Sequence, residues 1–204
     1  MTIVCLGDSI TCNWDSPTYT NYWQELLDQK SGTGSYQIIN AGVNGETAQD
    51  GYSRLEHDVL HHTPDLVTVM FGHNEVWQNI PAERYGVSLR LIVEAIHHHN
   101  KQTKIWLLTP NKAGDKSFWK KYIPYVTAIK KVSDEKGITL IDVHKAYDDE
   151  DLGGIYTYEV NNIDFKGKDF IHPNEKGQRL IAEYLTRNFY DLSNANSLLV
   201  DLPH

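Results

Sequence analysis

The sequence predicts a three-layer α/β domain built on a parallel sheet. Three observations predict it. Five short apolar runs recur along the 204 residues with little polar alternation, the pattern of strands covered on both faces. Amphipathic stretches with helical spacing lie between them. Run and helix alternate in units of roughly 30 residues, as parallel strands with helical crossovers require.

Taken in order, residues 3–6 (IVCL) are the first strand, with Cys5 a buried strand residue. Tyr22, Trp23, Leu26 and Leu27 share one face of the first helix. Residues 36–40 (YQIIN) are the second strand. Leu55, Val59 and Leu60 mark a second helix. Residues 65–71 (DLVTVMF) are the third and strongest run. Val87, Leu91, Ala95 and Ile96 mark a third helix after Pro81. Residues 104–108 (KIWLL) are the fourth strand. Ile123, Val126, Ile129 and Lys130 lie in a fourth helix, ended by Gly137. Residues 139–143 (TLIDV) are the fifth strand. Residues 148–170 have little periodicity and read as a long loop, often a functional one at that length. Leu180, Ile181, Tyr184 and Leu185 form the last helix. No repeat or linker divides the chain. A single domain over residues 1–204 is expected, with a core of about 2–190 and a tail of 191–204.

Composition narrows the function classes. Lys and Arg number 19 and Asp and Glu 27, a net charge of −8. That balance argues against a nucleic-acid partner and against acidic membrane surfaces. No run approaches the ~18 apolar residues of a membrane span. Met1 leads into the first strand without a basic n-region, so a cytoplasmic location is expected. The two cysteines, Cys5 and Cys12, outline neither a disulfide scaffold nor a zinc site. His57 and His61 stand four apart without an evident third ligand. His97, His98 and His99 suit the carboxyl end of a helix dipole. No metal is expected. Gly7-Asp8-Ser9 lacks the dinucleotide glycine pattern and the P-loop lysine, so no nucleotide cofactor is expected. The sequence leaves the oligomeric state open.

In an open parallel sheet, ligands bind beyond the carboxyl ends of the strands. Gly7-Asp8-Ser9-Ile10-Thr11 follows strand one. Asn40-Ala41-Gly42-Val43-Asn44-Gly45-Glu46-Thr47 follows strand two. Gly72-His73-Asn74-Glu75 follows strand three. Asp169-Phe170-Ile171-His172-Pro173-Asn174 precedes the last helix. Each alone has a plainer reading. Gly-Asp-Ser is a turn and helix cap, Gly45 a turn glycine, and Asn74 a turn or cap residue. Asp169 to His172 is then a loop-to-helix junction, with Pro173 at the first helical position. Together they fit acyl transfer. A serine hydroxyl needs a base, usually His. The His needs a carboxylate to fix its tautomer. A developing oxyanion needs donors, such as a glycine N–H and an Asn amide.

These four blocks, in this order, resemble the GDSL esterases and lipases, also called SGNH hydrolases. The likeness spans strand one through the last helix. It implies a flavodoxin-like sheet of order 2-1-3-4-5. It implies Ser9 as nucleophile, His172 as base and Asp169 as its orienting acid. Ser9 N–H, Gly45 N–H and the Asn74 amide are the implied oxyanion hole. Glu75 stands where the family often has Asp, and Phe170 where it commonly has Gly. The expected activity is a serine esterase acting on a small-molecule ester through an acyl-enzyme. Short acyl groups are expected, such as acetyl groups on sugars. Longer-chain lipase, thioesterase or lysophospholipase activity is the alternative, with a weakly active ester-binding module behind it. Trp14, Trp77, Phe118, Trp119 and Phe170 are candidate pocket walls. Cys12 lies near the serine, but Ser9 already fills the nucleophile position.

Overall fold

The computed structural model describes residues 1–12, 16–161 and 166–200. The elements run β1 (Thr2–Gly7), α1 (Tyr19–Ser31), β2 (Gln37–Gly42), α2 (Ala48–Ser53), α3 (Leu55–Asp58), β3 (Leu66–Met70), α4 (His73–Trp77) and α5 (Ala82–His99). They continue with β4 (Lys104–Leu108), α6 (Lys116–Trp119), α7 (Ile123–Lys136), β5 (Thr139–Ile141), β6 (Glu159–Asn161), β7 (Lys166–Lys168) and α8 (Glu175–Val200). The main sheet has the order β2-β1-β3-β4-β5, and every pair in it is parallel. This is the expected three-layer, flavodoxin-like architecture.

Strand side chains alternate between the two faces of the sheet. Val4, Leu6, Val67, Val69, Ile105 and Leu107 pack on a layer that includes α2, α5 and α7. Ile3, Cys5, Leu66, Met70, Trp106 and Leu108 pack the other way, onto α1 and α8. Both layers are apolar, so the strands carry no polar face, which is why their sequences read as continuous runs. Trp23 of α1 stacks on Trp106 of β4 at 6.2 Å between ring centroids. Phe189 of α8 meets Trp106 at 6.0 Å. These rings join the first and last helices to β4 of the sheet.

The helices expected after Pro81 and before Gly137 stand as α5 and α7, each with its buried face refined, and other expectations are corrected. Leu55, Val59 and Leu60 do not share one helix: α3 ends at Asp58 and Leu60–His62 is a 3-10 turn. All three side chains are nevertheless buried. On α5 the core face is Tyr85, Leu89, Ile92, Val93 and Ile96, while Val87 is 51% exposed. On α7, Tyr125, Ile129 and Val132 are buried, and Ile123 is exposed. Asn174 opens α8 in place of Pro173, its Oδ1 accepting the Gly177 N–H at 3.2 Å. The expected tail is helical up to Val200, and residues 201–204 lie outside the described residues. The expected loop of 148–170 contains a 3-10 turn at Leu152–Gly154 and the antiparallel pair β6–β7. A two-stranded ribbon apart from the main sheet relies on backbone pairing, so it leaves no apolar periodicity in the sequence.

Candidate active site

Three adjacent strands deliver the site. Gly7 at the end of β1 pairs with Gly42 of β2 and with Met70 of β3. Ser9, Gly45 and Asn74 therefore follow neighbouring strand ends on one edge of the sheet. The turn after β1 is held by Asp8, whose backbone carbonyl accepts the N–H groups of Thr11 and Cys12 at 3.1 and 3.0 Å. Its Oδ1 accepts the Ile10 N–H at 3.0 Å. Asp8, Ile10 and Thr11 point into the protein and are buried, leaving Ser9 half-buried between them.

His172 arrives from the other end of the chain. Its Nε2 lies 2.8 Å from Ser9 Oγ, and its Nδ1 lies 2.7 Å from Asp169 Oδ2. An ionised carboxylate only accepts, so Nδ1 carries the proton and Nε2 is left to accept the Ser9 O–H. The other Asp169 oxygen accepts the backbone N–H groups of Ile171 at 2.8 Å and His172 at 2.9 Å. One short loop thus carries both the carboxylate and the imidazole it orients. Asp169 N–H donates to the Tyr158 carbonyl at 2.8 Å, tying the loop to the segment before β6.

The electrostatics keep Asp169 an acceptor and make His172 a stronger base than a free imidazole. Burial raises the Asp169 pKa, but the His172 hydrogen bond and charge, with the two backbone N–H groups, hold it below the usual carboxylate range. Burial lowers the His172 pKa, yet the Asp169 hydrogen bond and charge, with the Asp8 charge, raise it on balance. Burial alone dominates at two nearby acids, pushing Asp8 and Glu75 up to about 7.

The neighbouring strand ends bring further donors. Gly45 has φ +75°, a left-handed conformation that favours glycine. The Asn74 amide donates one proton to the Glu46 carbonyl at 2.8 Å, and its second has no acceptor among the described residues. The Ser9 and Gly45 N–H groups have no backbone acceptor among the described residues. Glu75 ties the two loops together, its Oε1 accepting the Ala48 N–H at 2.7 Å. Glu is long enough to cross from α4 to the start of α2, and the sequence gives no sign of this contact.

Of the candidate wall residues, three gather. Trp77 is 56% exposed and lies 6.5 Å from Phe118 between centroids. Phe118 meets Phe170 at 5.0 Å, and Lys121 Nζ sits 4.6 Å over the Phe118 ring. Trp119 instead stacks on Tyr122 and meets His144 at a tilt, 3.9 Å between ring centroids. Trp14 lies outside the described residues. His57 is exposed and pairs with Asp58 at 2.6 Å. Among the described residues, no group of three or more His, Cys, Asp or Glu could hold a metal ion, and no helix is long and apolar enough to cross a membrane.

Residues 5–180 match the model of the GDSL-like lipase/acylhydrolase family. The chain is 24% identical to the acetylxylan esterase of Geobacillus stearothermophilus, over 91% of this chain and 92% of that protein. It is also 24% identical to thioesterase 1/protease 1/lysophospholipase L1 of Escherichia coli (strain K12), over 96% of this chain and 86% of that one. A shorter match, 36% identical, covers 36% of this chain and 31% of an uncharacterized lipoprotein of Bacillus subtilis (strain 168). Among solved structures, an acetyl xylan esterase superposes with a TM-score of 0.76 at 26% identity, covering 92% of this chain and 99% of the other. The chain belongs to the GDSL-like lipase/acylhydrolase family, and with it to the carboxylic ester hydrolases.

Proposed function

We propose that the protein is a serine esterase that removes short acyl groups, acetyl esters of carbohydrates foremost, through an acyl-enzyme. One observation carries the mechanism: the unbroken line from Ser9 Oγ to His172 Nε2 at 2.8 Å and from His172 Nδ1 to Asp169 at 2.7 Å. His172 takes the Ser9 proton as Oγ bonds to the ester carbonyl carbon. The charged carbonyl oxygen accepts from the N–H groups of Ser9 and Gly45 and from the second Asn74 amide proton. Asp169 stabilises the imidazolium. The tetrahedral intermediate collapses with cleavage of the alkoxy C–O bond, and His172 gives its proton to the departing alkoxide. Water then attacks the acyl-serine while His172 takes its proton. Collapse of that second intermediate releases the acid and returns the proton to Ser9.

The acetyl-sugar reading is supported by the two acetylxylan esterases above and by the aromatic ledge. Trp77 lies three residues beyond Asn74, on the same short helix α4, and its exposed indole suits the apolar face of a sugar ring. Longer acyl chains are the second reading. The likeness to the E. coli thioesterase and lysophospholipase favours it, as do Val43 and Tyr158, which are 38% and 44% exposed.

A fluorophosphonate should label Ser9 stoichiometrically, and Ser9→Ala should lose labelling and nearly all turnover while melting cooperatively. Wild-type kcat in pure Ser9→Ala protein would refute the assignment. A panel of aryl esters of rising acyl length beside acetylated xylo-oligosaccharides separates the two substrate readings. Trp77→Ala should raise KM for the acetylated sugars more than for aryl acetates. An equal change for both would remove the sugar platform.

A further inference from the structure

A series of buried hydrogen bonds runs behind the site. Asn111, just past β4, is fully buried. Its Nδ2 faces the Ile171 carbonyl at 3.2 Å and the Tyr156 hydroxyl at 3.0 Å. Its Oδ1 faces His73 Nε2 at 2.8 Å. His73 Nδ1 faces the Tyr122 hydroxyl at 2.6 Å. Every proton in the series follows from one group. The Ile171 carbonyl can only accept, so the Asn111 nitrogen must point at it. The Asn111 oxygen must then accept from His73 Nε2–H. His73 Nδ1 is left to accept from Tyr122. The Tyr156 hydroxyl takes the other Asn111 proton and donates its own to the Lys112 carbonyl. Burial pushes the His73 pKa down to about 4, which keeps the ring neutral and this one pattern in force.

The series joins three loops. His73 directly precedes Asn74. At the same turn, a Cβ on Gly72, whose φ is +136°, would sit 2.5 Å from Pro110 Cγ, so the ends of β3 and β4 are pressed together there. Ile171 lies between Asp169 and His172. Its N–H is held by Asp169 and its carbonyl by Asn111, so the peptides on both sides of Ile171 are each fixed by one hydrogen bond. The Gly114 N–H adds a second tie from the β4 end to the Phe170 carbonyl at 2.7 Å.

We propose that His73 and Asn111 are positioning residues: through the Ile171 carbonyl they hold the imidazole of His172 in fixed register with the amide of Asn74. The proposal rests on the roles given to Ser9, His172 and Asn74 above. Base and oxyanion donor act on the two ends of one reacting C–O unit, so their separation must hold to a fraction of an ångström. Asp169 sets the angle of His172, and Asn111 sets where the whole loop stands.

The test uses Asn111→Leu, which keeps the branched heavy-atom skeleton and removes the hydrogen bonds, and Tyr122→Phe, which keeps the ring and frees only His73 Nδ1. Aryl acetate kinetics are measured beside the rate and endpoint of fluorophosphonate labelling. Asn111→Leu should lower kcat by roughly 10–100-fold, the scale of a small misplacement of reacting groups, with little change in KM. Labelling should slow by a similar factor yet still reach one label per chain. Tyr122→Phe should lower kcat by about fivefold, the equivalent of one hydrogen bond. A low labelling endpoint with a wild-type rate in the active remainder would mean that Asn111 only maintains the fold, and would overturn the proposal. So would wild-type kcat in folded Asn111→Leu. If that variant does not fold, Tyr122→Phe decides, and unchanged kcat there overturns it. Turnover that survives in Ser9→Ala would instead overturn the reading beneath.

Discussion

Glu75→Gln isolates the cost of keeping an acid inside this protein. Glu75 is 1% exposed. One carboxyl oxygen takes the Ala48 N–H, while Oε2 has no partner among the described residues. Burial, with a smaller contribution from the Asp8 charge, raises its pKa from 4.5 to about 7, against the pull of backbone N–H groups. Between those two values the unfolded chain has lost the proton and the folded protein keeps it. Stability therefore falls as pH rises through that window. The full contribution is present below about 4.5 and is lost above about 7. At 1.36 kcal/mol per pH unit, that window amounts to about 3 kcal/mol. For a chain of this size it corresponds to a Tm difference of roughly 6–12 °C. Gln keeps the acceptor for Ala48 and never ionises. The assay is thermal unfolding of both proteins from pH 4 to 9. The variant's Tm minus the wild type's should grow from about pH 4.5 to 7 and then level off. Extra amide protons in the variant shift that difference by a constant, which does not affect its slope. Two curves that run parallel between pH 5 and 8 would refute the reasoning.

Two further predictions concern turnover. kcat/KM should rise with pH as His172 loses its proton, through a midpoint above the ordinary 6.5, because Asp169 and Asp8 together outweigh burial. Asp169→Asn should lower that midpoint and cut kcat by about 10⁴-fold, since an amide no longer enforces the Nδ1–H tautomer. A wild-type midpoint below 6.5 would contradict this balance. Asn74→Ala should lower kcat by roughly 10²–10³, with KM changing much less. It also frees the Glu46 carbonyl, which should cost about 1 kcal/mol of stability. An effect on KM alone would make Asn74 a substrate-binding residue.

The central strands were legible because burial on both faces forces continuous apolar sequence. Their ends were less so. β5 stops at Ile141 because Asp142 turns toward Thr109, whose hydroxyl donates to it at 3.0 Å, and Val143 enters a 3-10 turn. Helix α2 went unread because AQDGYS has no apolar spacing. Its capping box, Thr47 with Asp50, was the available signal. Ser9, Gly45, Asn74, Asp169 and His172 stood out because strand ends converge on one edge and the blocks resemble a known family. Their supports did not. His73, Asn111, Tyr122 and Tyr156 are buried polar groups whose partners lie up to 60 residues away. No local pattern announces such pairs. Only their neighbours hinted at them: His73 adjoins Asn74, and Asn111 follows the end of β4 as Asn74 follows that of β3.

Ser9 and His172, joined by one hydrogen bond, are 163 residues apart in sequence. On the ribosome, at ~5–20 residues per second, roughly 8–33 s of synthesis separate them. During that interval the nascent chain holds a serine hydroxyl with no base to activate it. α8 follows His172 and packs on α1, so the base settles only as the last helix closes over the first. Hydrolytic activity in a translation reaction is then a clock for the docking of α8, and it should lag behind the synthesis of that helix by the time its docking takes.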